Sequence, residues 1–241
     1  MFTGQGERVH VLEEDPDLAG RLDPAAAADA VGHVVAPLAR IERGPWGAEA
    51  AYPNGSDWIG LLVLSGFIVR RITCVHEVSA ELIGPGDVLR PWDHDGDYAL
   101  ESIETSFEVL EPVRLALLDD SFVTRAAGWP QIVPAVLERI GRRSRWLSIR
   151  LTIAQLERAT VRVLYLLWHL AERWGRATPE GLVVPLELTH RLIAELVGAR
   201  RPSVTNAVAA LERDGHLTRS PGVGWIVPHD VADRLDALMA P

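Results

Sequence analysis

The run LELTHRLIAELVGARRPSVTNAVAALERDGHLTR, residues 186–219, decides how this chain is read. Thr189 is a good N-cap, and Leu192, Ile193 and Leu196 follow it as one apolar helical face. Ala194 is small, as a close helix crossing requires. Gly198, four residues on, is where a helix can end in a sharp turn. Pro202 falls near the first position of the next helix, the place where proline is tolerated. Val204, Ala207, Val208 and Leu211 give that second helix its buried face, and Gly215 ends it. Two short β runs, His216–Arg219 and Trp225–Val227, are joined by Pro221-Gly222-Val223-Gly224. The spacing predicts a helix-turn-helix followed by a wing. Its second helix can enter a DNA major groove only if its first residues are exposed. Those residues are Arg200, Arg201, Ser203, Thr205 and Asn206. Arginine pairs with guanine and asparagine with adenine through two bonds each, while Ser and Thr suit phosphates or base edges. Thr189 and the wing residue Arg219 complete the candidate DNA-binding set.

Upstream, the charge divides by position. The 241 residues carry 24 basic and 33 acidic side chains, a net −9, and every basic residue is arginine. Residues 1–130 hold 9 arginines against 22 acids, a balance of −13; residues 131–241 hold 15 against 11, a balance of +4. A net-acidic chain is at first sight a poor partner for phosphates. The split fits an acidic input domain joined to a DNA-binding output domain, and equally two ordinary domains of different charge. The single cysteine, Cys74, excludes a disulfide framework or a multi-cysteine metal or iron–sulfur site within the chain. No basic-then-apolar leader stands at residues 1–12, and the longest apolar run, 59–69, is too short for a bilayer. A cytoplasmic protein with no membrane partner is expected.

Residues 1–33 read as helical and loosely tied. From Val34 to Leu118 short β-type runs alternate with turn signals at Gly44-Pro45, Pro53-Asn54-Gly55, Ser65-Gly66, Gly84-Pro85-Gly86 and Asp95-Gly96, predicting a small antiparallel barrel or sandwich. The period changes at Trp129. Val133, Leu137, Ile140, Ser144, Leu147, Leu151 and Ala154 recur at alternating spacings of four and three, a heptad seam. This predicts a helix over 131–155 whose stripe either joins two copies of the chain or packs on its own domain. The dimer is favoured because a small barrel offers little surface to so long a stripe, so Val133, Leu137, Ile140, Leu147 and Leu151 are the candidate dimer contacts. A further helix, 157–174, is apolar nearly all round and should be buried. The expected fold class is α+β, with domains at 1–128 (β-barrel with an N-terminal helical segment), 129–156 (dimerisation helix) and 157–241 (winged helix-turn-helix).

On these residues the chain resembles the Crp/Fnr superfamily of bacterial transcription regulators, along nearly its whole length. Ser65-Gly66 after an apolar run is similar to the family's I-L-x-G turn, and Gly84-Pro85-Gly86-Asp87 to its G-P-G-D/E turn. The 131–155 helix resembles its dimerising helix. Leu188-Thr189, Ile193-Ala194, Leu196, Gly198, Arg201, Val204 and Leu211 match its helix-turn-helix pattern. The resemblance implies a cyclic-nucleotide-binding-like barrel and a homodimer on a near-palindromic operator in double-stranded DNA. If the barrel recruits a protein partner, RNA polymerase is the candidate. It places Arg201 at the family's base-contacting arginine and Ser203 at a Ser/Thr near phosphates. Pro202 stands where many members have Glu, and Asn206 where many have Arg, which implies a different target sequence.

Cyclic-nucleotide-binding members hold the phosphate with a G-E-x-x-G/A-E then R-S/T-A pattern. Here Gly86-Asp87 is followed by Val-Leu-Arg-Pro-Trp-Asp-His-Asp-Gly-Asp, and no match to the R-S/T-A pattern follows. Residues 81–111 carry nine acids and one base, Arg90. A phosphate would be repelled from a pocket so lined, so no response to cAMP or cGMP is expected. Trp58 and Trp92 are candidates to line an apolar effector pocket. Cys74 with His76 is too sparse for a metal site. Asp93-His94-Asp95-Gly96-Asp97 lacks the length and glutamate of a calcium loop. The absence of His-x-His argues against a cupin-type metalloenzyme fused to a DNA-binding domain, so no catalytic residue, metal or cofactor is expected. A barrel that binds a protein partner or a non-nucleotide small molecule remains as an alternative input domain.

Overall fold

The computed structural model describes residues 6–47, 58–91, 103–184, 186–220 and 224–239. Pro53-Asn54-Gly55, Trp92 and the Asp93–Asp97 run lie outside them. The chain forms two compact units, Met1–Arg145 and Trp146–Pro241.

The first unit opens with β1 (Arg8–His10), α1 (Val11–Glu14), a 3-10 turn at Pro16–Ala19 and α2 (Pro24–His33). Asp23 caps α2 by accepting from the amides of Ala25 and Ala26. There follow β2 (Val35–Ile41), β3 (Gly44–Trp46), β4 (Gly60–Cys74), β5 (Glu77–Ile83), β6 (Val88–Leu89), β7 (Ile103–Leu118) and α3 (Asp120–Ala126). The strands make one antiparallel sheet in the order β1-β2-β7-β4-β5, with β3 on β7 and β6 on β4. It is the rolled, barrel-like sheet expected, although the pairings among described residues do not close a ring.

Two of its features differ from the sequence reading. Where the sequence reads as the short runs Ile59–Leu64, Phe67–Thr73, Phe107–Leu110 and Arg114–Leu118, β4 and β7 are continuous, with 15 and 16 residues. Ser65-Gly66 is no turn but an irregularity inside β4, where the register against β7 shifts three times between Val63 and Ile68. A bulge bends a strand without breaking its ladder, so one strand pairs β6 through Leu61–Leu62 and β5 through Ile68–Cys74. Gly66 makes the bend: its φ is +81°, and a Cβ there would collide with the Pro112 carbonyl. Gly44-Pro45 likewise lies within β3 rather than in a turn.

The core of this unit has two parts. Inside the rolled sheet, Ile41, Trp46, Leu61, Val63, Ile68, Ile83, Val109 and Leu115 pack together. Trp46 meets Phe107 edge-on, with ring centroids 5.7 Å apart, and Trp58 lies half-buried against the same cluster. The second cluster joins Val11, Leu12, Leu18, Ala30, Val34, Leu118 and Phe122 to Ile132 and Val136. Residues 8–33 are therefore not loosely tied. Their apolar side chains are core, and Glu14 pairs with Arg114 at 2.7 Å.

Helix α4 (Ile132–Ala154) has 23 residues, about 34 Å at 1.5 Å per residue, with Pro134 in its first turn. Ile132, Val136 and Arg139 are buried in the first unit, and Trp146 and Ile153 in the second. The predicted seam lies one position round. Val133, Ile140 and Leu147 are half-buried, while Leu137 and Leu151 are 53% and 69% exposed.

The second unit continues with α5 (Ala159–Trp174), β8 (Arg176–Thr178), β9 (Gly181–Val183), α6 (His190–Val197), α7 (Arg201–Arg213), β10 (Thr218–Ser220), β11 (Gly224–Val227) and α8 (Val231–Met239). Val161, Val163, Leu164, Leu166, Leu167, Leu170 and Ala171 of α5 are buried, as its pattern predicts. The wing, β10–β11, belongs to a four-stranded sheet β10-β11-β9-β8. The β8–β9 hairpin was not expected.

Gly66→Ala tests the bend. A left-handed alanine facing a carbonyl should cost about 2–4 kcal/mol. At roughly 2–4 °C per kcal/mol, calorimetry should show the first unit melting several degrees lower. An unchanged midpoint overturns this account of β4.

Candidate nucleic-acid interface

Thr189 starts α6 by accepting from the Leu192 amide at 3.1 Å. Gly198 ends it in the left-handed conformation, φ 61° and ψ 46°, which costs a glycine nothing. The chain then enters α7 with Pro202 in its first turn. Leu192, Ile193, Ala194, Leu196 and Val197 are buried on α6, and Val204, Ala207, Val208 and Leu211 on α7. Every element of the predicted helix-turn-helix lies where its spacing put it.

Two arginines hold the turn. Arg150 of α4 donates to the Leu196 carbonyl at 2.5 Å, and Arg162 of α5 donates to the Gly198 carbonyl at 3.1 Å. These carbonyls have no helical partner, and a guanidinium satisfies them while complementing the helix dipole. The Ala154 methyl lies 3.7 Å from where a Gly198 side chain would begin. Sequence reasoning missed this clamp, because nothing local links Arg150 to a carbonyl 46 residues away.

Thr189, Arg200, Arg201, Ser203, Thr205, Asn206 and Arg219 are all exposed. Five of them cluster at the start of α7, where free backbone N–H groups favour an anion. They are not equivalent. The Thr205 hydroxyl donates to the Arg201 carbonyl at 3.1 Å and lies 3.0 Å from Nδ1 of His190. The contact with His190 ties Thr205 to the start of α6. His190 is thus a member of the surface that the sequence did not single out. Arg219, on the wing strand β10, lies over the Trp225 ring at 5.4 Å, within cation–π range.

Behind this surface, His169 of α5 stacks on Trp146 of α4, with centroids 3.2 Å apart and planes 14° apart. Burial, with Arg173 and Arg150 adding repulsion, pushes its pKa from 6.5 down to about 4. The half-buried ring is neutral and has a packing role.

Two helices crossing through a left-handed glycine, exposed groups on the second and a β wing behind define a winged helix-turn-helix DNA-binding domain. Residues 161–233 match the family model described as "Crp-like helix-turn-helix domain". The regulatory protein CysR of Synechococcus elongatus is 29% identical over 180 residues, covering 72% of this chain and 78% of that protein. A cyclic nucleotide-binding domain containing protein from Listeria monocytogenes EGD-e superposes with a TM-score of 0.60 at 15% identity, over 88% of this chain and 96% of the other. FixK2 from Bradyrhizobium japonicum does so with a TM-score of 0.57 at 20% identity, over 86% and 98%. At these identities the two structures show the fold. Residues 161–233 thus form a Crp-like helix-turn-helix domain, and the chain as a whole is similar to Crp/Fnr-type transcription regulators. Among the described residues no helix is long and apolar enough to cross a membrane.

His169 makes the second unit pH-sensitive. Unfolded, it takes up a proton as pH falls through 6.5; folded, it stays neutral until about 4. Stability is therefore unaffected above 6.5 and declines as pH falls from 6.5 toward 4. Thermal melts should show that decline, and His169→Asn should flatten it. An equal slope in both proteins refutes the assignment.

Proposed function

We propose that this regulator is a homodimer that reads a near-palindromic operator, with α4 as its dimer helix. One observation carries the reading: α4 has a second apolar stripe beside its buried face, and the chain leaves it uncovered. Leu137 and Leu151 are more than half exposed, with Val133, Ile140 and Leu147 half-buried in line with them. Apolar residues repeated at heptad spacing are what a second copy would bury. The functional division is then 1–128, 129–156 and 157–241, as read from the sequence.

In this reading α7 enters the major groove. Arg201 and Asn206 read base edges, while Arg200, Ser203, Thr189 and the wing's Arg219 contact the phosphate backbone. Thr205, held by His190, positions the start of α7. The two recognition helices would sit about 34–36 Å apart, one turn of DNA. The protein works in the cytoplasm, with RNA polymerase its expected protein partner. It does not respond to cAMP, because no R-S/T-A match follows the Gly86-Asp87 turn.

Selection of binding sites from genomic fragments by the purified protein should return an inverted repeat. Arg201→Ala should cost about 1–3 kcal/mol of specific binding and relax one base position per half-site. An unchanged affinity and footprint removes Arg201 from the base-reading role. Replacing Leu137, Ile140 and Leu147 with Ser, Thr and Gln should give monomers in sedimentation, with loss of operator binding. A dimer that survives this triple change rules out the stripe as the interface.

A further inference from the structure

Among the residues that bind helix α4 to the first unit is a buried charge cluster. Glu81 of β5 is only 5% exposed. Its neighbour in register across the sheet is Arg70 of β4, whose Nη2 lies 2.9 Å from Oε2. A second guanidinium arrives from α4. Arg143 donates through Nε to Oε1 at 2.6 Å and through Nη2 to Oε2 at 2.8 Å, and its Nη1 reaches the Val88 carbonyl at 3.4 Å. Asp87, 1% exposed, accepts from the Gly84 amide beside them. Desolvation pulls the Arg143 pKa down, but Glu81 and Asp87 more than offset it, so it lies above the ordinary arginine value.

We propose that Glu81 is a built-in anionic ligand: its carboxylate fills a two-arginine cradle, Arg70 and Arg143, and so docks α4 on the sheet with no added anion. The geometry of Arg143 on Glu81 is the two-pronged fork by which arginine grips a free carboxylate or phosphate. The cradle is richer in donors than Glu81 uses, since Nε of Arg70 is buried with no partner among the described residues. With Glu81 in place, Arg70 and Arg143 are balanced by Glu81 and Asp87. Without it, two guanidiniums face a carboxyl-sized gap with one positive charge in excess. Such a gap is a binding site for a small carboxylate.

The position of α4 therefore depends on an anion that the chain carries itself. The acids of residues 81–111 are then not a uniform repulsive lining, because Glu81 is consumed by arginines and Glu108 pairs with Arg71. The consequence for DNA rests on the dimeric reading above; the cradle does not.

The test is chemical rescue. Glu81→Ala and Glu81→Gln are compared with the wild type in sodium formate and in sodium chloride at equal ionic strength. Hydrogen exchange over residues 132–145 and thermal melting are the readouts. In chloride, Glu81→Ala should exchange at least about tenfold faster over α4 than the wild type. Formate should restore protection and raise the midpoint. The wild type should not distinguish the two salts, and Glu81→Gln, whose amide fills the gap, should not be rescued. Should Glu81→Ala fail to fold in chloride, formate must restore cooperative melting. Full protection of Glu81→Ala in chloride, no gain in formate, or equal rescue of Glu81→Gln overturns the proposal. In a parallel arm, the affinity of Glu81→Ala for a selected operator should fall in chloride and return in formate. A wild type that selects no operator overturns the dimeric-regulator reading and leaves the rescue result to decide the cradle.

Discussion

Charge buried against helix α4 is the constraint that organises the first unit. An arginine or glutamate taken out of water is costly unless a partner meets it with good geometry. Arg139 is buried and reaches Asp15 at 2.6 Å, in the segment between α1 and the 3-10 turn. Arg143, one turn on, reaches Glu81 in β5. Apolar contacts at Ile132 and Val136 drive the helix onto the unit without specifying its rotation, since packing alone tolerates some slippage. Two arginines that must each find one carboxylate tolerate very little. The helix is thereby held with Leu137 on its exposed side, so the internal ion pairs would determine which face the proposed second copy meets.

The same pairs change the meaning of the charge asymmetry. Counting by sequence position credits residues 131–241 with an excess of arginine. In the structure, Arg139 and Arg143 are consumed by acids of the other half. Arg150 and Arg162 are aimed at the carbonyls of the α6–α7 turn, Arg191 pairs with Glu195, and Arg234 pairs with Asp230. The cations left at the DNA-facing surface are chiefly Arg200, Arg201 and Arg219. An interface with so few charges has a shallow salt dependence per subunit and draws little non-specific affinity. In the proposed dimer, affinity would come from base contacts and from engaging two half-sites at once.

How much was legible in the sequence follows from the range of each interaction. The helix-turn-helix was, because its determinants are local: a threonine cap binding three residues on, a left-handed glycine, a proline in a first turn and an apolar period. Helix α4 was legible for the same reason, although the face it buries lies one position round from the heptad stripe. The rolled sheet was legible in class but not in connection. Ser65-Gly66 has the composition of a turn, and only its pairing with β7 makes it a bulge within a continuous strand. The docking of residues 8–33, the Arg150 clamp and the Glu81 cradle were not legible. The clamp and the cradle join positions tens of residues apart through arginines whose local context is that of ordinary surface residues, and the docking of 8–33 rests on apolar contacts as remote in sequence.

The absence of lysine, which by itself points to no function, has a consequence at these sites. Arg143 uses three donors at once, Nε and Nη2 on the two oxygens of Glu81 and Nη1 on the Val88 carbonyl. An ammonium is a point charge on a flexible stem and has no planar fork to set against a carboxylate. Arg150 and Arg162, likewise, each reach a backbone carbonyl from another helix, holding the turn as a strut would. Substituting lysine at position 143 would keep the charge and lose the geometry that fixes the rotation of α4. What arginine supplies here is direction, which a buried helix with a free apolar face needs more than it needs charge.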